Sequence, residues 1–183
     1  MGRSLSLAAY RALSWRTANP VGRPPPSRPE GELIWVHIHD QTRVPPISDL
    51  CRRLIVQRPG VQILFTCPTD TDPKTWLPLC STPIALPTDH PGAARQFLNH
   101  WKPDMCLWSG GGLQPNLVSQ TAARKVPTVL MDVTEEDIIP RRLRWLPDLT
   151  RTTLDCFDTI LATGEPAARS IRRAGIASGR VSI

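Results

Sequence analysis

Five short runs of this chain are almost wholly apolar: Leu33–His39 (LIWVHIH), Val61–Cys67 (VQILFTC), Asp104–Trp108 (DMCLW), Pro127–Val133 (PTVLMDV) and Asp158–Ala162 (DTILA). A strand with one wet face alternates apolar and polar residues. A strand that is apolar throughout needs cover on both faces, as in a parallel sheet between two layers of helices. The intervening segments supply those helices. Pro46–Gln57 places Ile47, Leu50, Leu54 and Ile55 on one face, and Pro91–Trp101 opens with a proline suited to a first turn. Pro115–Lys125 and Glu165–Ala174 follow, and Arg141–Phe157 predicts a basic helix broken near Pro147. Cys67–Trp76 reads as a polar loop, Pro83–Leu86 as a short strand and Arg180–Ile183 as the entry to another element. Strands that alternate with helices in this way predict an α/β fold with a doubly wound, mostly parallel sheet. The abrupt end at Ile183 suggests one half of a longer two-domain protein, or a shortened relative of one.

At 183 residues the chain is long enough for one domain with a real core. Residues 1–30 differ from the rest. Leu5, Leu7, Ala8, Ala9, Ala12, Leu13 and Trp15 are interrupted by Arg3, Arg11 and Arg16, a stretch too short to cross a bilayer. The arginines argue against a signal peptide. Two readings stay open: an amphipathic helix packed on the domain, or a basic helix on a membrane surface. Pro20–Pro29 reads as a stiff linker, so the folded domain is expected over residues 31–183. Cys51, Cys67, Cys80, Cys106 and Cys156 are odd in number, widely spaced and without a C-x-x-C pair. They read as reduced, buried small hydrophobes, which excludes zinc-ribbon and thioredoxin chemistry. The net charge of +6 permits an anionic partner without selecting one.

Ligands of open α/β sheets bind outside the carboxyl ends of the strands, which points to three places. His37 and His39 form an H-x-H pair able to hold a metal, but no further ligand is fixed near them. The plainer reading is one core histidine and one at a loop edge, so no metal is expected. Ser109-Gly110-Gly111-Gly112 could bring backbone N–H groups to an anion, yet no dinucleotide or P-loop fingerprint accompanies it, and a flexible turn accounts for it equally well. Asp132, Glu135, Glu136 and Asp137 could serve a cation or proton transfer, although a solvated loop capping the next helix is the favoured reading. Arg141, Arg142, Arg144 and Arg151 lack the aromatic interleaving of a nucleic-acid reader, so no nucleic-acid partner is expected. No cofactor motif is present.

The segment from Pro91 to Asp104 (PGAARQFLNHWKPD), with Leu107-Trp108, resembles the N-terminal half of the 3-deoxy-D-manno-octulosonic acid (Kdo) transferases, where this region reads much like DLPGAVRRFLDHWRPDLALW. Leu113, Pro115, Asn116 and Leu117 match the family's ELWPNL. Leu33–His37 matches its IWIHA strand, and Phe157–Ala162 its last strand before the domain linker. The resemblance covers about residues 31–183. It implies a Rossmann-like domain, the N-terminal half of a GT-B glycosyltransferase, which holds a lipid A-type acceptor in lipopolysaccharide synthesis. It also implies a second, C-terminal half that binds CMP-Kdo, and a cytoplasmic location peripheral to the inner membrane.

The family's strand-one motif H-A-x-S-x-G-E, whose glutamate is its proposed general base, falls on His37–Arg43. The base position is therefore Arg43, which stays protonated and accepts nothing. The family's E-[ST]-E falls on Gly110, Gly111 and Gly112, and its N-A-R on Asp132, Val133 and Thr134. Scaffold positions persist while site positions change. We therefore expect no catalytic residue in this chain and no transfer by it alone. Arg43, Gly110, Gly111, Gly112 and Asn116 are expected to line a shared substrate-binding pocket that favours an anionic ligand. The alternative is a non-catalytic binding or regulatory module for an anionic lipid, sugar phosphate or partner protein.

Overall fold

The computed structural model describes residues 5–16, 25–68, 83–138 and 147–183. Its strands are β1 (Leu33–Ile38), β2 (Gln62–Cys67), β3 (Ile84–Ala85), β4 (Met105–Ser109), β5 (Thr128–Val133), β6 (Thr159–Ala162) and β7 (Val181–Ser182). They form one sheet in the order β3-β2-β1-β4-β5-β6-β7, and every neighbouring pair is parallel. The chain winds outward from β1 in one direction through β2 and β3, then returns to add β4 on its other side. The crevice between the carboxyl ends of β1 and β4 is thus the switch point where such sheets take ligands.

Seven helices join these strands: α1 (Leu5–Ser14), α2 (Val44–Gln57), α3 (Pro91–Trp101), α4 (Pro115–Ala123), α5 (Glu135–Ile138), α6 (Pro147–Leu154) and α7 (Glu165–Arg173), among the described residues. The period-2 geometry of the strands sends successive side chains to opposite cores. Leu33, Trp35, Cys106, Trp108 and Leu130 pack with α3, α4 and α7 residues such as Phe97, Leu117 and Ile171. Ile34, Val36, Ile38, Phe65, Leu107 and Met131 pack with Val44, Ile47 and Cys51 of α2. The apolar runs are therefore two interleaved half-sets, each facing its own helical layer.

One helix face differs from the expectation. Ile47 is buried and Leu54 partly so, but Leu50 and Ile55 are exposed. The helix starts at Val44, and its buried positions are Val44, Ile47, Ser48 and Cys51. The buried stripe runs Val44, Ile47, Ser48 and Cys51 with Leu54 partly buried, an i, i+3, i+4, i+7 face that passes beside Leu50 and Ile55. The four described cysteines are buried and form no disulfide among the described residues; Cys80, Arg141, Arg142 and Arg144 lie outside the described residues.

Helix α1 packs on the domain through α6 and α4. Tyr10 donates to Asp89 at 2.9 Å, Arg11 donates to Ser119 at 2.9 Å, and the Trp15 ring meets His90 edge-on at 4.9 Å. Farther along, Arg28 donates to the Trp101 carbonyl at 2.6 Å and satisfies an open C-terminal group of α3. The proline-rich segment over residues 25–29 has no regular structure, and the Pro26 carbonyl lies 2.8 Å from His100 Nε2. No described helix is long and apolar enough to cross a membrane.

Asp89 ties α1 to α4. Its carboxylate accepts the Tyr10 hydroxyl and the backbone N–H groups of Asn116 and Leu117 at the start of α4. Burial pushes this carboxyl up, while those two N–H groups pull it down. An Asp89→Ala variant should lose about 2–4 kcal/mol, since it removes a helix cap and leaves the Tyr10 hydroxyl without an acceptor. Trypsin should then cut at Arg11 under conditions where the unaltered chain resists. Equal denaturation midpoints and unchanged cutting would show that α1 is held by other contacts.

Candidate functional site

The site lies where β1, β4 and β5 end. His39 and Gly110 continue the sheet hydrogen bonding past the strand ends, His39 N–H to the Ser109 carbonyl and Gly110 N–H to the Met131 carbonyl. The strand tips are thus locked together before any side chain is considered. Beyond β1 the chain makes a short 3-10 turn, Gln41–Arg43, capped by Asp40, which accepts from the Thr42 N–H. The turn brings Arg43 back over the sheet edge.

Arg43 meets two carboxylates there. Its Nε lies 3.1 Å from Asp132 Oδ2, and its Nη2 lies 3.1 Å from Asp137 Oδ2. Asp137 also accepts the backbone N–H and the hydroxyl of Thr134, each at 2.9 Å. These donors and the guanidinium outweigh its burial and hold its carboxyl below the usual carboxylate range. The Arg43 side chain is 14% exposed, that of Asp137 16% and that of Asp132 43%, so Asp132 is the end of this chain of contacts that meets solvent. The third guanidinium nitrogen, Nη1, is buried without an acceptor.

Each of the three glycines leaves room for one neighbouring side chain. A Cβ on Gly110 would overlap Arg43 Nη1, one on Gly111 would come within 2.6 Å of Asp137 Oδ1, and one on Gly112 would overlap the His39 ring. Gly110 also has φ +81°, a backbone region that other residues rarely adopt. The glycine run is therefore the steric complement of Arg43, Asp137 and His39.

Asp132 carries a second peculiarity. The β5–β6 register shifts between Leu130 and Val133, and Asp132 sits in this irregularity with φ 57°. Irregularities of this kind re-aim side chains, and Asp and Asn tolerate the left-handed region better than most residues.

Arg43 and Gly110–Gly112 are thus brought together. Asn116 is fully buried on the first turn of α4, and its side-chain amide donates to the Asp89 carbonyl at 2.8 Å; it serves the α1–α4 junction rather than contacting Arg43. Two carboxylates, Asp132 and Asp137, pair with the Arg43 charge at this place. The sequence pattern suggests a solvated loop for them. Asp137 does cap the local turn, yet it is mostly buried and pairs with Arg43 as well. In the sequence Asp132 and Asp137 are legible only as an acidic cluster, with nothing in their spacing that ties them to Arg43.

His37 is core. It lies 3.0 Å from the Thr66 hydroxyl and packs its ring 4.2 Å from Trp108. Burial, with His39 adding to it, pushes its pKa down to about 3, so it is neutral. Its ring centre is 6.5 Å from that of His39, and no group of three metal-ligating side chains occurs among the described residues.

A two-sided parallel sheet with a crevice at its switch point defines a Rossmann-like α/β domain. Solved structures share this fold. A UDP-GlcNAc 2-epimerase from Neisseria meningitidis superposes with a TM-score of 0.57 at 11% identity, over 84% of this chain and 45% of that one. The UDP-GlcNAc 2-epimerase from Methanocaldococcus jannaschii gives 0.59 at 14% identity, over 82% and 45%. The chain belongs to the 3-deoxy-D-manno-octulosonic-acid transferase (kdotransferase) family, whose N-terminal profile matches residues 14–183. Curated relatives agree. A 3-deoxy-D-manno-octulosonic acid transferase of Bordetella pertussis is 28% identical over 199 residues, covering 92% of this chain and 46% of that protein. The one from Rickettsia typhi is 31% identical over 93 residues, covering 49% and 20%. The chain therefore spans less than half the length of these relatives.

Proposed function

We propose that this chain is the acceptor-side domain of a Kdo-transferase-type glycosyltransferase, that it holds a lipid A-type sugar acceptor in the β1–β4 crevice, and that it does not transfer sugar by itself. The observation that carries this reading is the state of position 43. The scaffold of the family is kept around it, but the residue at the family's base position is a cation bound between two carboxylates. General-base loss lowers a rate by about 10²–10⁴-fold, and the donor CMP-Kdo would belong to a separate C-terminal half. The reading places the domain at the cytoplasmic face of the inner membrane, where such an acceptor resides.

The same ion-paired arginine favours a second reading, a non-catalytic module that binds the acceptor or a partner without chemistry. The test is to incubate the purified chain with CMP-Kdo and a lipid A precursor and to measure binding and product separately. Acceptor binding without product is expected. Product formed by the chain alone would overturn the inactive-site reading, and absence of acceptor binding would overturn the acceptor-side reading.

A further inference from the structure

Folded chains leave few buried polar atoms without a partner. Among the described residues four side-chain atoms are in that state: Arg43 Nη1, Ser109 Oγ, Gln114 Oε1 and Asn116 Oδ1. They are not scattered. Ser109 ends β4, Gln114 immediately precedes α4, and Asn116 lies in its first turn. Arg43 Nη1 stands where a Cβ on Gly110 would be. All four therefore belong to the β4–α4 turn or to the side chain laid over it, at the carboxyl end of β4. Ser109 and Asn116 are fully buried. The orientation of the two amides is fixed. Gln114 Nε2 donates to the Pro87 carbonyl at 3.0 Å, and Asn116 Nδ2 donates to the Asp89 carbonyl at 2.8 Å. A carbonyl only accepts, so each amide keeps its nitrogen there and turns its oxygen elsewhere. The backbone N–H groups at the start of α4 are taken by Asp89, so side chains rather than the helix terminus are left open.

We infer that the β4–α4 turn is a hydroxyl-binding site, in which Ser109, Gln114 and Asn116 receive the uncharged hydroxyl groups of a sugar. The inference rests on the acceptor-side reading above and names the contacts within it. The unpaired set is two amide oxygens that only accept, one hydroxyl that does both, and one guanidinium nitrogen that only donates. A sugar hydroxyl both donates and accepts, so it can complete every one of them. A phosphate is chiefly an acceptor; it would suit Arg43 Nη1 and leave the two amide oxygens unmet. Leaving buried polar atoms unpaired costs stability, and folds break that rule mainly at functional sites. The four atoms are closed to solvent in the free chain, so binding requires a cover to move. His39 fits that part. It is exposed, its ring lies against Gly112 of the same turn, and the ring has no hydrogen-bond partner among the described residues. The other three histidines are engaged: His37 with Thr66, His90 with the Gly92 N–H, and His100 with the Pro26 carbonyl.

The test titrates the full 183-residue chain, followed by amide NMR shifts, with an unphosphorylated N-acetylglucosamine disaccharide, and measures melting temperature in parallel. The signals of Ser109, Gly112 and Asn116 should move most. Ser109→Ala removes an unpaired hydroxyl and little else, so its melting temperature should stay level or rise. It should still weaken sugar binding about three- to tenfold, the usual loss for one hydrogen bond. Gln114→Met removes the amide oxygen at similar volume and should weaken binding by a similar factor. A purely structural role for Ser109 would not weaken binding in a protein of undiminished stability. Inorganic phosphate should not compete. Shifts that bypass this turn, or binding changed less than about twofold by both variants, would overturn the assignment. The unpaired atoms would then be left to ordered water, with the acceptor-side reading intact. Displacement of the sugar by phosphate would overturn the uncharged-ligand claim. If the unaltered chain binds neither this disaccharide nor a lipid A precursor, the acceptor-side reading fails and takes the assignment with it.

Discussion

An Arg43→Glu variant should be destabilised by about 3–5 kcal/mol at pH 7, which for a chain of this size lowers the melting temperature by roughly 10 °C or more. Judged by family motif alone, this substitution restores the missing base. In the folded protein it places a third carboxylate between Asp132 and Asp137, which now lose the cation that both contact at 3.1 Å. Like charges this close do not all ionise freely, so at least one carboxyl of the variant titrates above its ordinary range. The pH dependence then has a definite sign. In the unaltered protein Asp137 is held low, so its contribution is present above the unfolded carboxylate pKa and is lost as pH falls through the folded value. In the variant the folded state binds more protons than the unfolded one, so acidification stabilises it relative to pH 7. Urea denaturation at pH 7 and at about pH 4.5 should show the gap between the two proteins narrowing. Equal stability at pH 7 would mean that the ion-pair cluster contributes nothing to the fold.

Gly110→Ala should cost about 3 kcal/mol. Part is backbone strain, because alanine at φ +81° leaves its preferred regions at a cost of about 1–2 kcal/mol. The rest is displacement of Arg43, whose Nη1 occupies the space of the new methyl group, leaving Asp132 and Asp137 without their shared cation. Gly111→Ala tests the steric part separately, since its backbone angle is ordinary and its Cβ would press on Asp137 Oδ1 at 2.6 Å. It should cost less than Gly110→Ala. A Gly110→Ala protein with unchanged stability would show that Arg43 can swing aside freely, and the interlock of glycines and side chains would lose its meaning.

The two substitutions that look like decay when compared with the family motif, an arginine for a glutamate and glycines for carboxylates, are coupled in space. Arg43 needs the volume that Gly110 leaves, and it needs the charges of Asp132 and Asp137. A site that had merely lost its residues would be expected to show unpaired or solvated replacements. This one shows a packed ion-pair cluster with an exposed carboxylate at its end.

Much of the architecture was readable from periodicity. The apolar runs at Leu33–His39, Val61–Cys67 and Asp104–Trp108 announced strands covered on both faces, because hydrophobic spacing records burial directly. Proline at position 91 and the scaffold match around it located α3, and they also located the family. Local pattern failed in part at α2, where Leu50 and Ile55 are exposed while Ser48 and Cys51 are buried beside Val44 and Ile47, because the orientation of the helix on the sheet decides which of several apolar positions are covered. It was also silent on the site's charge. Position 43 was legible as an arginine, but its partner Asp137 stands 94 residues away, and nothing in the spacing of either residue connects them. Hydrophobic burial leaves a local signature because each residue meets the core independently. Ion pairing leaves none, because it depends on a distance that only the parallel register of β1, β4 and β5 establishes.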